Sequence, residues 1–157
     1  MPKITTIRTY DNRVEEAAKF YVSAFRNSRI GNVIRYGEAG PGPKGGVMTV
    51  TFELDSQEFV ALNGGPHFKF TGGISLSVEC KTQEEVDAYW EKLSEGGENG
   101  PCGWLKDKFG LSWQINPTIP GEMLSDSTPK KSKRAMEAML KMKKISIEGL
   151  KRAYEGR

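Results

Sequence analysis

Between Gly72 and Pro117 the spacing of apolar positions changes from two to helical and back again. Ile74, Leu76 and Val78 alternate with Ser75, Ser77 and Glu79, the pattern of a strand with one apolar face. Thr82 then stands three residues before Glu85, a capping-box spacing, and Val86, Tyr89, Trp90 and Leu93 follow at i, i+3, i+4 and i+7, which predicts a helix with one buried stripe. Gly96-Gly97 ends it. Strands are predicted at Trp104-Leu105-Lys106 and from Ser112 to Asn116, joined by a turn over Asp107 to Gly110 and closed by Pro117.

The first half repeats this order. Ile4 to Thr9 reads as a strand, Asp11-Asn12 as a turn, and Val14, Ala17, Ala18, Tyr21 and Phe25 as a helical stripe. Val14, Ala17, Ala18 and Tyr21 each lie seventy-two residues before Val86, Tyr89, Trp90 and Leu93, which predicts an internal duplication. Strands are predicted at Arg29 to Tyr36, Val47 to Leu54 and Gln57 to Asn63. A Gly/Pro-rich loop from Gly37 to Gly46, expected to be mobile, joins the first two, and a tight Asp55-Ser56 hairpin joins the second and third. After Ser127, a cluster of Lys130, Lys131, Lys133 and Arg134 leads into two short amphipathic helices. Met136, Met139, Leu140 and Lys143 share a stripe of the first, and Ser146 caps the second.

Composition narrows the class. With 157 residues, 37% hydrophobic and 27% charged, the chain is expected to form one compact globular domain overall. A net charge of +3, concentrated in the tail and interleaved with Glu137, Glu148 and Glu155, gives no case for nucleic acid. No apolar run is long enough for a membrane span, and Met1-Pro2-Lys3 leads into a polar strand, so a cytoplasmic location is expected. Cys80 and Cys102 share no short metal-ligand spacing with each other or with His67; reduced thiols are expected, a disulfide being the lesser reading.

The segments YDNRVEEAAKFYVSAF, ISLSVECKTQEEVDAYWEKL and CGWLKDKFGLSWQINP, with the tail AMEAMLKMKKISIEGLKRAYEG, resemble the PhnB-like branch of the vicinal oxygen chelate superfamily, which also holds glyoxalases, extradiol dioxygenases and bleomycin-resistance proteins. The resemblance covers the whole chain and is loosest over Arg29 to Leu54. It implies an α+β fold of two βαβββ modules, residues 1–66 and 67–120, forming cupped mixed sheets around a small ligand, with a helical extension over 121–157. It also implies a homodimer.

Metal-dependent members of the superfamily carry His, Glu or Gln ligands on the first and last strand of each module. Here the matching positions are Lys3, Ile4, Thr5 and Thr6, then Asn63, then the vicinity of Gly73, and finally Gln114. Only Gln114 is a plausible ligand, and no metal site is expected. Proteins of this branch are often labelled demethylubiquinone methyltransferase, a reaction that requires S-adenosylmethionine. Neither Gly40 to Gly46 nor Gly96-Gly97 has a phosphate-loop or dinucleotide-loop pattern between strand and helix, so no cofactor is expected.

If Ile74, Leu76, Val78, Trp113 and Ile115 face the helix, then Ser75, Ser77, Ser112, Gln114 and Asn116 share the opposite face. With Asn63 and with Cys102 and Trp104 on the adjoining loop, these are the candidate ligand-binding residues, hydrogen-bonding groups among apolar walls. The plainer reading is the solvated face of an antiparallel sheet. Trp90 and Trp113 read as core, His67 as a loop residue, and Cys102, although near Lys106 and Lys108, as a small apolar-like thiol. No catalytic residue is assigned. The function expected is binding of a small molecule in a metal-free pocket, with a metal-dependent lyase, isomerase or dioxygenase as the alternative and an interaction module acting through the C-terminal helices as the third reading. Neither nucleic acid nor membrane is an expected partner.

Overall fold

The computed structural model describes residues 2–119, 123 and 128–157. The chain divides into two compact units, Met1–Lys69 and Phe70–Arg157. The expected module boundary at 66/67 stands three residues before this division, and the one at 120/121 lies outside the described residues.

The first unit contains β1 (Thr6–Tyr10), α1 (Val14–Ala24), β2 (Arg29–Arg35), β3 (Val47–Leu54) and β4 (Gln57–Asn63). Its sheet has the order β1-β4-β3-β2, with β1 parallel to β4 and the other pairs antiparallel. β1 begins later than the sequence predicts, because Ile4 is fully exposed and finds no partner strand. Asp55 and Ser56, with φ of 46° and 69°, form the predicted two-residue turn between β3 and β4. The Gly37 to Gly46 loop folds back on its own root: Tyr36 N–H donates to Gly46 O and Gly45 N–H to Tyr36 O. Gly42 lies against the Tyr36 ring so closely that a Cβ would come within 2.3 Å of it.

The second unit repeats the topology. β5 (Ser75–Cys80), α2 (Gln83–Ser94), β6 (Glu98–Asn99), β7 (Trp104–Lys106) and β8 (Ser112–Pro117) give the sheet order β5-β8-β7-β6, again with its first and last strands parallel. The chain thus contains the two βαβββ modules that the repeat predicts, in an α+β fold. β6, two exposed polar residues, has no apolar alternation to mark it. Thr82 Oγ1 accepts from Glu85 N–H at 3.2 Å, and the Glu85 carboxylate accepts from Lys81 N–H at 2.7 Å. Val86, Trp90 and Leu93 face inward. Ile74, expected in the helix-facing row, instead precedes the paired residues of β5 and is 73% exposed.

The tail forms α3 (Pro129–Leu140) and α4 (Ile147–Glu155), packed against each other. Ser146 caps α4 as predicted, accepting from Gly149 N–H at 3.0 Å. Arg134 donates to the Ala153 and Tyr154 carbonyls at the other end of α4, where cationic donors satisfy orphan carbonyls. α3 buries the small Ala135, so the Met136 and Leu140 stripe remains exposed. Both cysteines are free. Among the described residues, no helix is long and apolar enough to cross a membrane.

Candidate functional site

On the second sheet the ladder register decides which side chains share a face. Ser77 pairs with Gln114, and Gln114 with Trp104, while Ser75 pairs with Ser112, and Ser112 with Lys106. These residues occupy the face away from α2, whereas Leu76, Val78, Leu105, Trp113 and Ile115 occupy the face toward it. Leu105, Trp113 and Ile115 are all buried. Asp107, 2% exposed, fixes the sheet at its turn. One of its oxygens accepts from Phe109 and Leu111 N–H, and the other from Trp113 Nε1 at 2.9 Å.

The polar row is tied together. Gln114 Nε2 donates to Ser75 Oγ and Asn116 Nδ2 to Ser77 Oγ, each at 2.9 Å, and Asn116 Nδ2 also lies 3.5 Å from Gln114 Oε1. Each serine hydroxyl accepts from an amide and so keeps its own proton to donate. Beside this row is a cleft of about 360 Å³, lined in part by Pro101, Trp104, Leu105, Lys106 and Ser112.

Of the candidate residues, Ser75, Ser77, Gln114 and Asn116 are therefore brought into one network, and Trp104 and Ser112 line the adjoining cleft. Cys102 points elsewhere. Its backbone is left-handed, with φ of 57°, its N–H donates to Met142 O at 2.8 Å, and its Sγ lies 3.3 Å from Met139 O. Gly103 N–H likewise donates to Lys143 O at 2.7 Å. The loop that supplies the cleft wall is thus fastened to the tail. Asn63 lies in the first unit, where its side chain accepts from Asn12 N–H and donates to Asn12 Oδ1 and Val47 O, joining the start of α1 to the end of β4.

Cys80 is completely buried, and burial first, then the Glu85 carboxylate, pushes its thiol up to about 11. Such a thiol is no nucleophile near neutral pH. His67 is exposed in its loop. Among the described residues, no group of three or more His, Cys, Asp or Glu could hold a metal ion. Around Gln114 the partners are hydroxyl and amide groups, a donor set that does not fit the His and carboxylate chemistry of divalent transition-metal sites.

Sequence reasoning missed Arg8, 3% exposed on the α1 side of the first sheet. Its guanidinium lies 4.2 Å from the Phe59 ring centroid, 5.0 Å from that of Tyr21 and 5.5 Å from that of Phe52. Phe52 and Phe59 stack at 5.6 Å, and Phe52 and Tyr21 at 6.0 Å. The only available signal was a charged residue in phase with Tyr10 inside a short strand.

A family model described as 3-demethylubiquinone-9 3-methyltransferase matches residues 2–116. The chain is 39% identical to the PhnB protein from Bacillus cereus, covering 74% of this chain and 100% of that one, with a TM-score of 0.66. A protein from Pseudomonas aeruginosa has a TM-score of 0.62 at 19% identity, covering 74% of this chain and 98% of its own. The fosfomycin resistance protein FosX from Listeria monocytogenes, in a complex with Mn(II) and a dihydroxypropylphosphonic acid, has a TM-score of 0.52 at 13% identity, covering 74% and 92%. The last two likenesses are of fold. Among curated proteins, none matches the sequence.

Proposed function

Starting from the PhnB-like family of the vicinal oxygen chelate superfamily, to which this chain belongs, we propose that the protein binds a small molecule on the open face of β5, β8 and β7 and needs no resident metal to do so. The observation that carries this reading is the Ser75–Gln114 and Ser77–Asn116 network standing beside a largely apolar cleft. Small-molecule sites combine these two features: apolar walls supply affinity, and a few placed polar groups set orientation.

The alternative, metal-dependent chemistry, would need clustered donors, and among the described residues no group of three or more His, Cys, Asp or Glu could hold an ion. Of the positions that would carry ligands, Gln114 and Asn63 are both engaged in hydrogen bonds to neighbouring side chains or backbone, and Lys3, Ile4, Thr5, Thr6 and Gly73 bring neither imidazole nor carboxylate. Methyl transfer fits no better. S-adenosylmethionine is commonly held by a glycine loop between strand and helix of a doubly wound sheet. Here Gly40 and Gly42 pack on Tyr36, and Gly96-Gly97 leads from the end of α2 into β6 of a four-stranded mixed sheet.

Metal analysis of purified protein, followed by thermal shift with Zn(II), Ni(II), Mn(II) and Fe(II), tests the proposal. No stoichiometric metal and no shift is the expected result, since a ligand selective for the native state raises apparent stability. Tight metal at one equivalent would overturn the metal-free reading.

A further inference from the structure

Resting on the small-molecule reading above, we infer a ligand class: a flat aromatic body carrying one anionic group, with the body against Trp104 and the anion at Lys106. The cleft's volume of about 360 Å³ is at the lower end of small-molecule sites, a size suited to one or two fused rings. Trp104 stands in register with Gln114, on the open face, and is partly exposed there. Pro101 adds an apolar wall beside it. Gly100 admits this arrangement, because a Cβ at that position would come within 2.8 Å of Trp104 O. An indole beside such walls offers a surface on which another ring stacks.

The charge comes from the strand order. Across the face run Ser75, Ser112, Lys106 and Glu98, one from each strand, ending at the sheet edge. Glu98 lines the same cleft one strand beyond Lys106, so a molecule lying over β8 and β7 sets its anion at the Lys106 ammonium with its body toward Trp104, short of the Glu98 carboxylate. Lys3, Lys44, Lys92, Lys133 and Lys144 each pair with a carboxylate; among the described residues Lys106 makes no such ion pair. An apolar body entering the cleft displaces water from around the ammonium, which strengthens its attraction for an anion and penalises a neutral or cationic group in the same place. The hydroxyl protons of Ser75 and Ser77 lie on the same face, available to further acceptor oxygens.

Two dyes separate the body from the charge: 1-anilinonaphthalene-8-sulfonate, an aromatic anion, and N-phenyl-1-naphthylamine, its neutral counterpart. Fluorescence titration of the intact protein is expected to show the anion binding more tightly than the neutral dye. Lys106→Gln should weaken the anion by about 5- to 10-fold, roughly one charge-assisted contact, and leave the neutral dye within about twofold. Trp104→Ala should weaken both, with circular dichroism confirming that each variant is folded. If both dyes bind and Trp104→Ala weakens both, while Lys106→Gln affects neither or affects them equally, the anion assignment is overturned and the binding reading stands. If neither dye binds, or Trp104→Ala leaves both unchanged, the binding reading itself falls.

Discussion

The two sheets share strand order, parallel closure and a single packed helix, yet their faces are filled in opposite ways. In the second unit the helix side is apolar and the open side holds Ser75, Ser77, Gln114 and Asn116. In the first unit the helix side encloses Arg8 among Tyr21, Phe52 and Phe59, while the open side shows Ile7, 60% exposed, and Ile34, 51% exposed, beside Val60, Leu62, Thr49 and Thr51. Topology is therefore kept by the loops and the helix stripe, and the chemistry of the open face is free to differ between copies. Among the described residues, the second copy's open face carries a row of serines bonded to side-chain amides, whereas the first copy's carries branched apolar side chains with threonines among them.

This contrast predicts different consequences for losing a buried charge. Asp107→Ala strands three donors in the second unit, Phe109 N–H, Leu111 N–H and Trp113 Nε1. The expected loss is about 3 kcal/mol or more in urea unfolding; a change below about 1 kcal/mol would show that the turn is held by something else. Arg8→Ala opens a hole in the aromatic cluster of the first unit and should cost about 2–4 kcal/mol. Arg8→Met refills most of that volume without a charge and should recover more than half of the loss. Equal destabilisation by both would mean that the guanidinium charge, and not its bulk, holds the cluster.

Smaller effects separate the open faces. Gln114→Leu removes the hydrogen bond to Ser75 and the long one from Asn116, and should cost about 1 kcal/mol or less while weakening binding of the anionic dye. Ile34→Thr in the first sheet should leave stability within about 0.5 kcal/mol and dye affinity unchanged. If the two substitutions act alike on binding, the functional distinction between the sheets is lost.

The smallest effect concerns Asp87, whose carboxyl is held below its ordinary value by hydrogen bonds from Lys144 first and Gln83 second. A depressed folded-state value stabilises the protein above the unfolded carboxyl range and ceases to do so as pH falls through the folded value. Asp87→Asn should thus cost less than about 1 kcal/mol at pH 7, this being a half-exposed pair. Its difference from the parent protein in acid melts should begin to shrink near about pH 4 and vanish only once the pH has fallen through the lower folded-state value.

Much of this fold could be read in the chain because periodicity leaves a record wherever one face is buried. Val86, Trp90 and Leu93 on α2, and Trp113 and Ile115 on β8, fall on the predicted faces, and the polar row follows by alternation. Arg8 escaped because its partners are aromatic faces supplied by α1, β3 and β4, which no local pattern connects. β6 escaped because two polar residues have no period. The direction of Cys102 was equally hidden, since it depends on carbonyls at Met139 and Met142, some forty residues away. Alternation tells which residues share a face; it is silent on which of them are already engaged by a distant segment.

That distant engagement affects how selective the cleft can be. With the amides of Cys102 and Gly103 bonded to Met142 and Lys143, the wall between Pro101 and Trp104 gives up its conformational entropy when the chain folds. On the proposed binding reading, an incoming molecule would meet a surface already shaped, with no loop to order on arrival. Discrimination between similar ligands then lies chiefly in how slowly a well-fitting one departs.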